Sequence, residues 1–152
     1  MKFTIFLLIL ISNVYSSSYV FLAQKYNTNI ELEAKIISDM AKASISDDIK
    51  LYIPNISNEE KEIYSTSFTL VNNCNDANLI FEKNESKSDI LCTSNTNKLF
   101  ITNDYKKLLK DNKYAGAFFW NKSRPNITVI KNRLENQNIN LSTNYEKFVE
   151  DL

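Results

Sequence analysis

The chain has 152 residues, 43% of them apolar and 12% aromatic, and its 18 basic and 18 acidic side chains cancel. That composition argues for a packed globular domain and against a disordered tail. The absence of histidine removes the Ser-His and Cys-His nucleophile pairs and the commonest metal ligand, and a single glycine leaves no loop to cradle phosphates.

Lys2 followed by the apolar run Phe3 to Ile11 reads as a secretory signal peptide. Val14-Tyr15-Ser16 is its cleavage site, with a small or branched residue at −3 and a small one at −1, so residues 1–16 are the leader. The run is about half of the ~20 residues that a spanning helix needs. Residues 17–152 then form one exported domain with no transmembrane segment after cleavage.

Thr28-x-x-Glu31 is a capping box, predicting a helix to about Ser44 with Leu32, Ile36, Ile37, Met40 and Ala43 on its apolar stripe. Ile49, Leu51 and Ile53 alternate as a strand that Pro54 stops. Ser57-x-x-Glu60 caps a short helix, and Ser67 to Val71 is a second strand. Asn72 to Asp76 is turn chemistry, Leu79 to Phe81 a third strand, and Lys83 to Asp89 a polar loop. Leu91-Cys92 is a short pairing segment, Asn95 to Asn97 a turn, and Leu99 to Thr102 a fourth strand. Asn103 is expected to cap a helix with Tyr105, Leu108 and Leu109 inward and its lysines outward. Ala115 to Trp120 and Ile127 to Ile130 are strands of a hairpin, with Pro125 in the loop. Residues 131–137 are helical, and Thr143-x-x-Glu146 opens a last helix with Tyr145, Phe148, Val149 and Leu152 on one stripe. The order predicts an α/β or α+β fold: a single compact domain with a mixed sheet of about five to six strands.

Cys74 and Cys92 survive cleavage into an oxidising compartment, and 18 residues separate them, so a disulfide is the natural reading. Five Asn-x-Ser/Thr sequons begin at Asn55, Asn84, Asn121, Asn126 and Asn140; with 21 asparagines in the chain, chance accounts for several. Charge is unevenly spread. Residues 98–133 hold nine basic and two acidic side chains, against seven and twelve in residues 17–97. That contrast predicts a positive face able to steer an anionic partner, unless the charges solvate different sides.

No carboxylate pair or metal cluster stands out, so the chain is read as a non-enzyme with no cofactor, no metal and no nucleic-acid partner. A Ser-Lys pair is the one nucleophilic arrangement left open. The distinctive segment is the hairpin. It carries the only glycine, Gly116, as a bulge or close backbone approach. It also carries the only tryptophan, Trp120, with Lys122, Arg124 and Asn126 beside it as a partner-binding surface. Trp and Arg are the residue types that anchor interfaces, although Phe118 and Trp120 on alternate positions also suit a core.

The same order of features resembles the YfiR-like periplasmic regulators. Cys74 precedes a central strand at Leu79 to Phe81, and Ile101-Thr102-Asn103-Asp104 is similar to that family's strand-to-helix step. Ala115-Gly116 stands where the family has paired glycines, Arg124 to Ile130 resembles its Arg-led strand, and Leu141-Ser142 the start of its final helix. The resemblance covers residues 70–150; Ala115 replaces a glycine, and the cysteine pattern is reduced. It implies a small periplasmic module that binds and restrains the sensor part of an inner-membrane signalling protein. The alternative is a binder of a small anionic ligand, resembling half of a periplasmic solute-binding protein.

Overall fold

The computed structural model describes residues 16–45, 48–83, 92 and 97–150, with side chains from Tyr26 onward. The expected leader up to residue 15, the polar stretch 84–91, residues 93–96 and Leu152 lie outside these.

A long helix, α1 (Ser16–Ser44), precedes β1 (Lys50–Tyr52), α2 (Asn58–Ser65) and β2 (Thr69–Leu70). Next come a 3-10 turn at Cys74–Asp76, β3 (Leu79–Glu82), β4 (Leu99–Thr102) and α3 (Tyr105–Lys110). The chain closes with β5 (Gly116–Asn121), β6 (Arg124–Ile130), α4 (Lys131–Asn136), a 3-10 turn at Thr143–Phe148 and β7 (Val149–Glu150). All strands join one mixed sheet in the order β2-β1-β3-β4-β5-β6-β7. Only β5 and β6 run antiparallel; the other neighbours are parallel. This is the α/β domain that alternating elements dictate, with seven strands rather than five or six.

The extra strand is β7, from a stretch whose pattern suggested helix. The Thr143–Phe148 turn is 3-10, and its N-cap Ser142 makes no side-chain hydrogen bond. Without a cap, pairing of Val149 and Glu150 with Val129 and Ile130 takes the chain into the sheet instead. At the other end, α1 runs through Thr28 without restarting. No glycine or proline interrupts residues 16–44, so nothing forces a break at the box. Of the expected stripe, Ile37 and Met40 are buried, but the buried face extends to Ile30, Ala34 and Ala41 and leaves Leu32 38% exposed. The spacing from Ile30 through Ala34 and Ile37 to Ala41 is helical, but two alanines speak faintly in an apolarity pattern.

The Ser57 box is realised in full. The Ser57 hydroxyl accepts from the Glu60 N–H at 3.2 Å, and the Glu60 carboxylate accepts from the Ser57 N–H at 3.1 Å. At α3 the cap is Asp104 rather than Asn103, its carboxylate accepting from Lys106 N–H at 2.8 Å. Leu109 points outward at 47% exposure, because its neighbour Lys107 turns inward to Glu82.

The sheet separates two cores. Leu79, Phe81, Leu99, Ile101, Phe118 and Val129 face α1 and Tyr64 of α2. Ile80, Phe100, Ala117 and Ile130 face the other way, onto Leu108 of α3, Tyr114 and the cysteine pair. This is the period-two alternation of strands covered on both faces. Cys74 and Cys92 are joined by a disulfide, with Cα atoms 5.9 Å apart.

With one glycine in the chain, asparagine takes over left-handed turns. Among the described residues with positive φ, Asn55, Asn97 and Asn138 stand beside Lys122 and Ser123.

Candidate functional site

The hairpin is tighter than its sequence suggested. Asn121 pairs with Arg124, leaving only Lys122 and Ser123 in the loop, at φ 48° and 62°. Two left-handed central residues give the primed turn whose twist matches the strands. Pro125 therefore lies inside β6, opposite Trp120, rather than in the loop. One step out from the closing pair, its nitrogen faces the open side of β6 and no ladder bond is lost. Gly116 sits in a continuous ladder without a bulge. A Cβ there would lie 3.2 Å from the Thr128 carbonyl oxygen and 3.4 Å from Ile101 Cγ2, so it marks a close backbone approach.

Alternation then sets each side chain's direction. Phe118 is buried against α1, and Trp120, two residues on, shares that face and meets its ring edge-on at 5.8 Å. Trp120 nevertheless stays 37% exposed. Phe119 turns to the other face and packs on Tyr105 at 5.1 Å. Lys122 and Arg124 are exposed, and the half-buried Asn126 donates its amide to the Arg124 carbonyl at 2.9 Å. The four predicted contact residues are thus all at the hairpin end of the sheet, but on two faces: Trp120 shares the α1 face with Pro125, while Arg124 and Asn126, opposite Asn121 and Phe119, turn the other way, with Lys122 in the loop between.

Beside them runs a groove of about 300 Å³ lined by Ile36, Asp39, Pro125, Asn126, Ile127, Tyr145 and Phe148. Burial, with the Asp39 carboxylate adding to it, pushes the Tyr145 hydroxyl above its ordinary range, so it remains protonated. The sequence reading missed this groove. Its only signal was Ile36, one of the expected stripe residues, with Asp39 one turn on at helical spacing.

The basic stretch 98–133 is partly consumed by the fold. Lys98 is buried and donates to the carbonyls of Cys74 and Asn75 at 2.9 and 3.0 Å. Arg133 donates to the carbonyls of Leu108, Asp111 and Tyr114, closing the end of α3. Lys107 and Lys113 pair with Glu82. What remains exposed is Lys106, Lys110, Lys122, Arg124 and Lys131.

Consecutive residues at the end of β3 each reach a buried polar cluster, on opposite faces. Glu82 meets Lys107 and Lys113. Lys83 meets Glu33 of α1 at 2.9 Å and Glu60 of α2 at 2.6 Å, while the Tyr64 hydroxyl donates to Glu33. The strand order reverses direction between β1 and β3, the place where open α/β sheets take ligands beyond the carboxyl ends of their strands. Among the described residues, this place holds an ion pair. Glu60 caps α2, and Lys83 neutralises it.

These clusters set an acid limit. Burial alone would raise Glu60 and Glu82, but their lysine partners prevail and hold both below the ordinary 4.5. A depressed carboxylate contributes stability above its unfolded pKa and loses it as pH falls through the folded value. Urea midpoints are therefore expected to drop below about pH 4.5, and Glu82→Gln to flatten that slope; an unchanged slope would refute the role of Glu82. Lys83 works in the other direction. Burial lowers it, but Glu33 and Glu60 hold it above 10.5, so its contribution is complete below that pH and is lost as pH rises further.

Among the described residues, no group of three or more His, Cys, Asp or Glu side chains is placed to hold a metal ion, and no helix is long and apolar enough to cross a membrane. No family model, curated protein or solved structure matches this chain.

Proposed function

We propose that this is a small exported binding module whose hairpin end contacts the sensor part of a membrane signalling protein in the periplasm. The observation that carries the reading is Trp120: a large ring held edge-on by Phe118, left 37% exposed, near the tip of a two-residue hairpin that also exposes Lys122 and Arg124. A pre-ordered aromatic loses little entropy on binding, which is why such residues dominate interface energies. The resemblance of residues 70–150 to the YfiR-like regulators supports the same job, and the disulfide suits an oxidising compartment.

An anionic small-ligand site is the weaker reading. At the switch point Lys83 already pairs with Glu33 and Glu60, and a second groove, of about 450 Å³, sets Lys131 against Glu135 and Glu146.

The test is in-cell crosslinking and affinity capture of the tagged exported protein. Capture of a membrane signalling protein is expected. Trp120→Ala with Arg124→Ala should weaken it by about 2 kcal/mol or more, roughly 30-fold, while the protein stays folded at the temperature of the experiment, its melting temperature falling only by the loss of the Phe118 contact. Undiminished capture by this double variant would remove the hairpin from the interface.

A further inference from the structure

The groove beside the hairpin carries three features that the reading above does not require. The first is an open backbone edge. Ile130 N–H donates to the Ala115 carbonyl, so along β6 the backbone groups of Ile127 and Val129 face away from β5. Val129 is covered by β7, but among the described residues nothing bonds the Ile127 N–H. The second is charge. Asp39 is exposed on the groove wall, and among the described residues no cation pairs with it; the nearby Lys147 lies over the Phe148 ring instead. The third is the character of the remaining walls, which are apolar or aromatic apart from Asn126.

We propose that an extended segment of a partner protein enters this groove as a short added strand. It pairs with the Ile127 backbone and sets a Lys or Arg side chain on Asp39 beside Tyr145. Edge addition takes its affinity from main-chain bonds and its specificity from alternate side chains, so residues two before and two after the cation also enter the groove. Ile36, Ile127 and Phe148 select apolar, β-branched or aromatic residues there. A carboxylate flanked by aromatic surface favours a cation twice, through charge and through the ring face. The inference rests on the reading that this end of the sheet binds protein, and it adds which part of the partner is recognised.

The test needs no knowledge of that partner. A phage-displayed library of random heptapeptides is selected against the disulfide-bonded exported chain. Peptides sharing one Lys or Arg, with β-branched or aromatic residues two positions either side, are expected. Asp39→Lys should select Asp or Glu at the central position. Ile127→Pro, which removes the outward N–H together with a half-buried side chain of the groove wall, should bind the wild-type peptides at least tenfold more weakly, and Ile127→Val, which keeps the N–H, should bind them with less than a threefold loss. If that variant melts early, hydrogen exchange at the Ile127 amide of the wild type takes its place, and the peptide should slow it. A selection with no common pattern, the same basic peptides chosen by Asp39→Lys, or unchanged exchange at Ile127 would overturn the proposal. Because no partner protein is present, this outcome is separate from success or failure of the capture experiment.

Discussion

Replacing Lys83 with methionine is expected to destabilise the protein by about 3–5 kcal/mol, the cost of removing one member of a buried ion cluster. For a chain of this length that is a fall of roughly 10 °C or more in Tm. The reason lies in what is left behind. Glu33 is 7% exposed and Glu60 is largely shielded, and both lean on the same ammonium group. Without it, the hydrogen bond that Glu33 keeps among the described residues is from the Tyr64 hydroxyl, a neutral donor. Burial and the Glu33 charge push the Tyr64 hydroxyl far above its ordinary range, so it will not ionise and add a second negative charge. Two further measurements separate this account from simple loss of packing. The penalty should shrink at acid pH, where the orphaned carboxylates take up protons. The double variant Lys83→Met with Glu33→Leu should regain part of the loss, because apolar groups of similar volume tolerate that site. A single variant melting within about 1 kcal/mol of wild type would mean that the cluster contributes far less than a buried ion cluster should.

Loss of the disulfide ranks second. Replacing Cys74 and Cys92 with alanine is expected to cost about 3 kcal/mol through freedom returned to the unfolded chain. The bridge spans 18 residues of sequence, tying the 3-10 turn that precedes β3 to Cys92 ahead of β4, and those two strands pair side by side. Both cysteines are buried against Ile80 and Phe100, so the alanine pair also loses some packing. Reduction of the wild-type protein isolates the covalent part, since the sulfur atoms stay in place. If reduced and oxidised forms melt together, the bridge contributes no stability.

Much of the fold is legible in the residues. The Ser57-x-x-Glu60 box is a local chemical event with both halves in sequence, and it forms as written. Leu79 to Phe81 and Leu99 to Ile101 are continuous apolar runs because both faces of these strands are covered. The parts that were not legible depend on distant partners. Glu33 sits on the buried stripe of α1 because Lys83, fifty residues later, awaits it; a helical pattern treats any glutamate as solvent-facing. Lys107 reads as an outward lysine until Glu82 is placed under it. β7 exists because Val129 and Ile130 offer an edge, a fact held in β6 rather than in Val149 or Glu150. The candidate surface divides the same way. Trp120, Lys122, Arg124 and Asn126 follow from a hairpin that the sequence announces. The groove beside them needs α1, β6 and the final turn to converge, and no local pattern encodes that meeting.

The margins of the sheet bear on how the protein behaves when crowded. β2 and β7 contribute two residues each, so neither margin gives a neighbouring copy a long row of backbone groups to extend. On the exposed stretch of β6, Pro125 removes one donor and leaves Ile127 as an isolated foothold. Copies that collide edge to edge therefore find too few bonds to nucleate a fibre. The same scarcity limits any partner strand to a brief grip, released quickly and formed again.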